Sequence, residues 1–267
     1  MKRILSIQDL SCVGKCSLAV TMPVLSAMGC ACSPLPTALL STHTAFPSPY
    51  VKVLTEDMEY CCDHWQRIGA EFDGISVGYL ADPRQAETVL RILDAFPALT
   101  VVDPVMGDHG KLYSGMTDAH VDSMRTLCKR ADVVLPNVTE AALLTGLPYR
   151  EQLGKTDCQE LMEGLRQLGI QKAVISGVAA APEKTGFIGY DEKGEFFYET
   201  DRIARQSHGT GDLFTSVITG MLAKGRSLKD GAELAARFVE EVLSEMEATS
   251  PFGVEFEKKL PWLWQNM

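Results

Sequence analysis

The chain contains no apolar run approaching the ~18–20 residues that cross a bilayer. Met1-Lys2-Arg3 leads straight into a short strand pattern rather than an export signal. Both features predict a cytoplasmic protein with no membrane partner. Positive charge is scarce too, with 25 Lys and Arg against 35 Asp and Glu and a formal net charge of −10. No basic stripe exists to displace counterions from a nucleic acid, which argues against that class of partner. An acidic chain that binds phosphate must do so locally, through backbone N–H groups, metal ions and a few cations. Cys12, Cys16, Cys30, Cys32, Cys61, Cys62, Cys128 and Cys158 lack the compact spacing of a zinc site. They read as reduced thiols, mostly small buried hydrophobes. Gly14-Lys15 lacks the first glycine and the following Ser/Thr of a P-loop, and no GxGxxG run follows the first strand. No internal repeat, low-complexity segment or Pro/Gly-rich linker divides the 267 residues, so residues 1–267 read as one domain.

With 46% apolar and 22% charged residues, the chain can bury a sizeable core. Strand patterns at Ile4–Ile7, Cys30–Thr37, Gly74–Val77, Leu99–Val102, Val133–Leu135 and Ala173–Ser176 alternate with stretches of helical period. These stretches include Ser17–Met28, a face of Ala86, Val89, Leu90, Leu93 and Phe96, a helix carrying Leu161, Leu165 and Leu168, one from Gly211, and Leu228–Met246. Thr185–Tyr190 and Glu195–Thr200 flank Asp191-Glu192-Lys193-Gly194 as an antiparallel hairpin. The pattern predicts an α/β fold with a mostly parallel central sheet, helices on both faces and the hairpin at one edge. Ligands of such sheets sit at the carboxyl ends of the strands. Gln8-Asp9, Gly78-Tyr79, Asp103 to Asp108, and Asn137 with Glu140 all follow strands directly.

The most informative stretch is Ser207-His208-Gly209-Thr210-Gly211-Asp212. A glycine-rich turn entering a helix leaves backbone N–H groups unpaired, with the positive end of the helix dipole behind them. Asp212 there either caps the helix or takes a proton from a hydroxyl attacking a bound phosphate. Two glycines and a threonine exceed what a cap needs. Asp103-Pro104-Val105-Met106-Gly107-Asp108 places two carboxylates around a tight turn, either a solvated acidic turn or a Mg2+ site completed by phosphate oxygens and water. Asn137 and Glu140 fit a helix start, as N-cap and N3 partner, and a metal contact through water; both can hold at once.

Together these motifs resemble the ribokinase-like superfamily, and within it the vitamin B6 branch of pyridoxal/pyridoxamine kinases. The resemblance is carried by Ile4-Leu5-Ser6-Ile7-Gln8, Ser41-Thr42-His43-Thr44, Gly78-Tyr79-Leu80, Asp103–Asp108, Pro136–Glu140 and Gly209–Asp212. It implies a three-layer ribokinase-like sandwich and ATP-dependent phosphorylation of the 5′-hydroxymethyl group of pyridoxal, pyridoxine or pyridoxamine. It further implies Asp212 as base, an anion hole of Gly209, Thr210 and Gly211, and Mg2+ with the ATP phosphates near Asp103, Asn137 and Glu140. Asp108 would line the phosphate or the substrate side, Lys184 would reach the ATP phosphate, and Tyr79 and His43 would lie around the pyridine ring. A monovalent cation such as K+ and a homodimer are further implications. The chain departs from the family at Asp9, where a small hydroxyl residue is common; a carboxylate there could meet a protonated ring nitrogen or an amine. The rival readings are a hydroxymethylpyrimidine kinase of the same superfamily and a non-catalytic nucleotide-binding protein.

Overall fold

The computed structural model describes residues 1–205, 207–246 and 250–267. The chain forms two compact units, one of Met1–Leu99 with Ile203–Met267 and the other of Thr100–Arg202. In the first, β1 (Arg3–Val13) leads into α1 (Leu18–Ala27), β2 (Ala31–Thr42), β3 (Val51–Val53), α2 (Thr55–Ile68), β4 (Gly74–Val77) and α3 (Gln85–Ala95). Strand order here is β4-β1-β2-β3; β1 runs parallel to β4 and β2, and β3 returns antiparallel along β2.

The buried stretch from Ile4 to Ile7 explains why β1 reads so clearly from sequence. It runs on to Val13, past the expected end, because Leu10, Ser11 and Val13 keep pairing with β2. The register slips between Gln8 and Leu10, so Asp9 stands at an irregularity where β2 carries an extra residue.

The second unit comprises β5 (Leu99–Val102), whose first residue closes the preceding segment, and the short pair β6 (Gly107–Asp108) and β7 (Lys111–Leu112). It continues through α4 (Asp118–Cys128), β8 (Val133–Val134), α5 (Val138–Thr145), α6 (Lys155–Gln167), β9 (Ala173–Val178), β10 (Lys184–Asp191) and β11 (Gly194–Asp201). Strand order is β5-β8-β9-β10-β11, parallel as far as β9 and then antiparallel through the expected edge hairpin. The chain then adds α7 (Thr210–Ala223), α8 (Leu228–Glu245) and α9 (Leu260–Asn266) to the first unit, where α7 packs on α1 and α8.

The mostly parallel α/β arrangement and its edge hairpin therefore match the sequence reading. Sequence analysis passed over β3, α2 and α4, whose polar, half-exposed faces dilute the apolar period. Among the described residues, no helix is long and apolar enough to cross a membrane. All eight cysteines are free thiols.

Candidate active site

The first unit gathers its polar side chains along the second half of β1 and just after it. Asp9 is only 4% exposed, and its carboxylate accepts hydrogen bonds from the hydroxyls of Ser11, at 3.2 Å, and Ser17. Burial pushes Asp9 above the ordinary carboxylate range, although Ser17, Ser11 and the nearby His43 all favour the charged form. Ser17 adopts φ 50°, unusual for a residue with a side chain. It is the N-cap of α1, yet its hydroxyl caps no helical N–H and serves Asp9 instead.

His43, 6% exposed, follows β2 directly and lies over Gly14, where a Cβ would stand 2.8 Å from its ring. Its Nε2–H donates to the Pro251 carbonyl at 2.9 Å, and its ring packs between Phe46 and His208. Among the described residues, its buried Nδ1 has no hydrogen-bond partner. Tyr79 is half-buried, and its phenol is pushed up by burial and then by the charge of Asp9. Cys16 completes this group. Burial, with Asp212 and Asp9 adding to it, pushes its thiol up to about 12, so it stays neutral.

Asp212 lies in the first turn of α7, half-buried, and its effect on Cys16 puts it within electrostatic reach of that cluster. The two glycines before it have separate reasons. Gly209 has φ 91°, and a Cβ there would collide with the Lys15 carbonyl, so close packing demands glycine. Gly211 faces open space, with no atom of the described residues beyond its own neighbours within 4 Å of where a Cβ would stand. Among the described residues, no backbone carbonyl takes a well-formed hydrogen bond from the N–H groups of Thr210 and Gly211. The opening with these donors is what an anion requires.

The second unit holds the other carboxylates. Asn137 and Glu140 form the anticipated capping box: Glu140 N–H donates to Asn137 Oδ1 at 2.9 Å, and Asn137 N–H donates to Glu140 Oε2 at 2.8 Å. Glu140 Oε1 accepts from Met106 N–H at 3.1 Å, and Asn137 Nδ2 donates to the Gly107 carbonyl at 2.8 Å. Burial raises Glu140 well above its ordinary value, and the charge of buried Asp103 raises it further. Asp108 is exposed on the β6–β7 turn and accepts from His109 N–H at 2.7 Å. Lys184 pairs with Asp201 at 2.8 Å across the edge hairpin, which raises its pKa.

Among the described residues, no group of three or more His, Cys, Asp or Glu could hold a metal alone. Asp103 and Glu140 nevertheless suit a divalent cation of the Mg2+ kind, which takes one or two carboxylates and fills its shell with phosphate oxygens and water. Two carboxylates that oppose each other's ionisation in a buried position are relieved by such an ion.

Residues 24–254 match the family model of the phosphomethylpyrimidine kinases. The chain belongs to this family. Phosphomethylpyrimidine kinases and pyridoxal kinases alike are among its relatives. The pyridoxine/pyridoxal/pyridoxamine kinase of Bordetella avium is 30% identical over 258 residues, 90% of this chain and 84% of that one. The crystal structure of the pyridoxal kinase of Lactobacillus plantarum superposes with a TM-score of 0.92 at 33% identity, covering 99% of this chain and 97% of the other. A provisional phosphomethylpyrimidine kinase of Bacteroides thetaiotaomicron, crystallised with pyridoxal, gives a TM-score of 0.90 at 35% identity over 98% and 95% of the two chains. The ribokinase-like fold and its place beside the pyridoxal kinases follow. As a member of the phosphomethylpyrimidine kinase family, the chain is a phosphotransferase that uses ATP with a divalent metal.

Sequence reasoning missed Ser11, Cys16, Ser17 and the Pro251 carbonyl. Ser17 reads along the chain as the start of a helix, with nothing to mark it as a partner of Asp9. The others are recruited by chain segments that meet only in three dimensions.

Asp9 yields a stability prediction. Its raised pKa means that the folded chain holds this proton more tightly than the unfolded chain does. The residue therefore stabilises the fold at pH values below its ordinary 3.8, and that contribution is lost as pH rises toward its raised value. Asp9→Asn is expected to melt a few degrees above the parent at neutral pH without ligands, with the gap closing below pH 3.8. Thermal melts across that range check it.

Proposed function

We propose that this kinase phosphorylates the 5′-hydroxymethyl group of pyridoxal, pyridoxine or pyridoxamine, with Asp212 as the base. The observation that carries the reading is the first turn of α7, where a half-buried carboxylate stands beside two N–H groups that no described backbone carbonyl takes up, and an opening at Gly211. Asp212 takes the proton of the acceptor hydroxyl as its oxygen bonds to the γ-phosphorus, and ADP leaves with the bridging oxygen. The N–H groups of Gly209, Thr210 and Gly211 face the charge on the transferring phosphoryl group.

Asp9, His43 and Tyr79 bind the acceptor. Asp9 is a buried acceptor of hydrogen bonds and the buried His43 Nδ1 has no partner among the described residues, so both favour a ligand that turns polar groups to them. Asp103 and Glu140 hold Mg2+, and Asn137 and Lys184 serve the ATP phosphates. The ion, when bound, neutralises phosphate charge and orients the transferring group. The reading extends to one catalytic domain of residues 1–267, a monovalent cation such as K+, a homodimer and a cytoplasmic location.

The family itself favours a second acceptor, hydroxymethylpyrimidine, whose ring amine could also donate to Asp9. Coupled ADP release with the three B6 vitamers and hydroxymethylpyrimidine separates the two. A B6 vitamer is expected to show the highest kcat/KM, with turnover abolished by EDTA and restored by Mg2+. Preference for the pyrimidine would replace the acceptor, and ATP turnover that ignores every acceptor would sink the kinase reading. Asp9→Ser is expected to lower kcat/KM most for the acceptor with the most strongly basic nitrogen; an unchanged order of preference would discard Asp9 as its partner.

A further inference from the structure

A line of buried polar side chains inside the first unit joins three elements that each contribute to the acceptor site. Gln8 Nε2 donates to Ser6 Oγ at 3.0 Å and to Thr21 Oγ1 at 2.7 Å. Ser216 Oγ lies 2.9 Å from Thr21 Oγ1 and 2.6 Å from the carbonyl oxygen of Asp212. Ser6, Gln8, Thr21 and Ser216 are 0%, 6%, 2% and 0% exposed, so water does not compete for these bonds.

Counting hydrogens gives the line a direction. A hydroxyl has one proton, and the Asp212 carbonyl can only accept. The Ser216 proton therefore goes to Asp212 O, the Thr21 proton goes to Ser216, and Thr21 accepts from the Gln8 amide. Gln8 cannot turn over to break this order. Reversal would set its carbonyl oxygen against Thr21, whose proton is already committed. Its Oε1 now faces Gly78, where a Cβ would stand at 2.7 Å.

A serine bonding the carbonyl four residues back is an ordinary helical feature. Continuation through α1 to the end of β1 is not. There the line ends beside Asp9, and Gly78 precedes Tyr79. Ser17, which serves Asp9, lies one turn before Thr21 in the same helix, and its carbonyl accepts from Thr21 N–H at 2.9 Å.

We propose that Gln8, Thr21 and Ser216 form a one-way hydrogen-bond relay that positions the first turn of α7 against the acceptor-binding end of β1, with Thr21 as its central positioning residue. The relay rests on the reading of Asp212 as the base. It acts by holding the backbone from which the Asp212 carboxylate projects, and small errors in that placement cost turnover rather than affinity.

The test uses Thr21→Val, which keeps the shape and removes the hydroxyl, with Thr21→Ser as the conservative variant and Ser216→Ala as the neighbouring break. Turnover should fall on the order of 10-fold in Thr21→Val and Ser216→Ala, with KM for ATP unchanged. Thr21→Ser should recover parental turnover. The double variant should lose little more than either single one, because both break one line. Melting curves and ATP KM report whether each variant is folded. In an Asp212→Asn background, Thr21→Val should cost almost nothing further.

Parental turnover in a folded Thr21→Val, or losses that multiply fully in the double variant, would overturn the relay. Should Thr21→Val not fold, Thr21→Ser and Ser216→Ala carry the test, and parental turnover in Ser216→Ala overturns it. Parental turnover in Asp212→Asn alone would instead remove the base, a separate failure.

Discussion

Asp212→Asn is expected to lose ~10²–10⁴-fold in turnover while binding ATP as the parent does. The amide keeps the size and shape of the carboxylate but cannot accept a proton from the acceptor hydroxyl. Losing a negative charge at a helix N-terminus costs only ~0.3–1 kcal/mol, so the fold should hold. Cys16, which feels the charge of Asp212, is not ready to substitute. The Cys16 thiol is pushed up to about 12 by burial, with Asp212 and Asp9 adding to it, and it carries no negative charge near neutrality. Replacing Asp212 removes only one of those contributions, so Cys16 stays protonated. Steady-state turnover alongside calorimetric titration with ATP separates the two quantities, and near-parental turnover would withdraw the base assignment.

Glu140→Gln should produce the largest combined effect on metal dependence and stability. Both carboxylate oxygens already accept backbone N–H groups, from Met106 at 3.1 Å and Asn137 at 2.8 Å. An amide offers one oxygen, and its NH2 would face the other N–H donor. One buried backbone donor then goes unsatisfied, at a cost of ~1–3 kcal/mol. Apparent affinity for Mg2+ should fall ~10–100-fold whether Glu140 touches the ion or acts through bound water. A Mg2+ titration of turnover, run beside thermal melts, reads both effects. A parental Mg2+ requirement in a variant that melts early would confine Glu140 to its capping role.

Much of this molecule is legible along the chain. The strands Gly74–Val77 and Leu99–Val102 occur with the boundaries expected of them, because short apolar runs between turn residues have few other ways to fold. The capping box at Asn137 and Glu140 is equally local: two side chains three residues apart satisfy each other's backbone. Periodicity was less informative for α2, which buries only Met58 and Cys62 and presents mostly polar residues to solvent. The Gly209-Thr210-Gly211-Asp212 turn reads as an anion site, but the two glycines looked equivalent. Structure separates them. Gly209 is required by its φ of 91° and by the Lys15 carbonyl, while Gly211 borders the opening.

Lys184 shows the opposite limit. Its place before the edge hairpin carries no sign of a partner, but register sets it across from Asp201, which it meets at 2.8 Å. Cross-strand pairing is a property of two segments, so neither segment announces it alone.

By itself, the sequence determined the α/β class, the positions at strand ends where polar residues collect, and the glycine-rich helix start that marks a kinase of this superfamily. These are local matters of apolar period, turn chemistry and backbone donors near the residues that supply them. Tertiary structure alone decided that Asp9 would be buried with Ser11, Ser17, His43 and Cys16, and that Thr21 would join Gln8 to Ser216. Those environments come from residues far apart in the chain, and the burial that raises Asp9 and leaves His43 Nδ1 without a partner exists only once β1, α1 and α7 have packed.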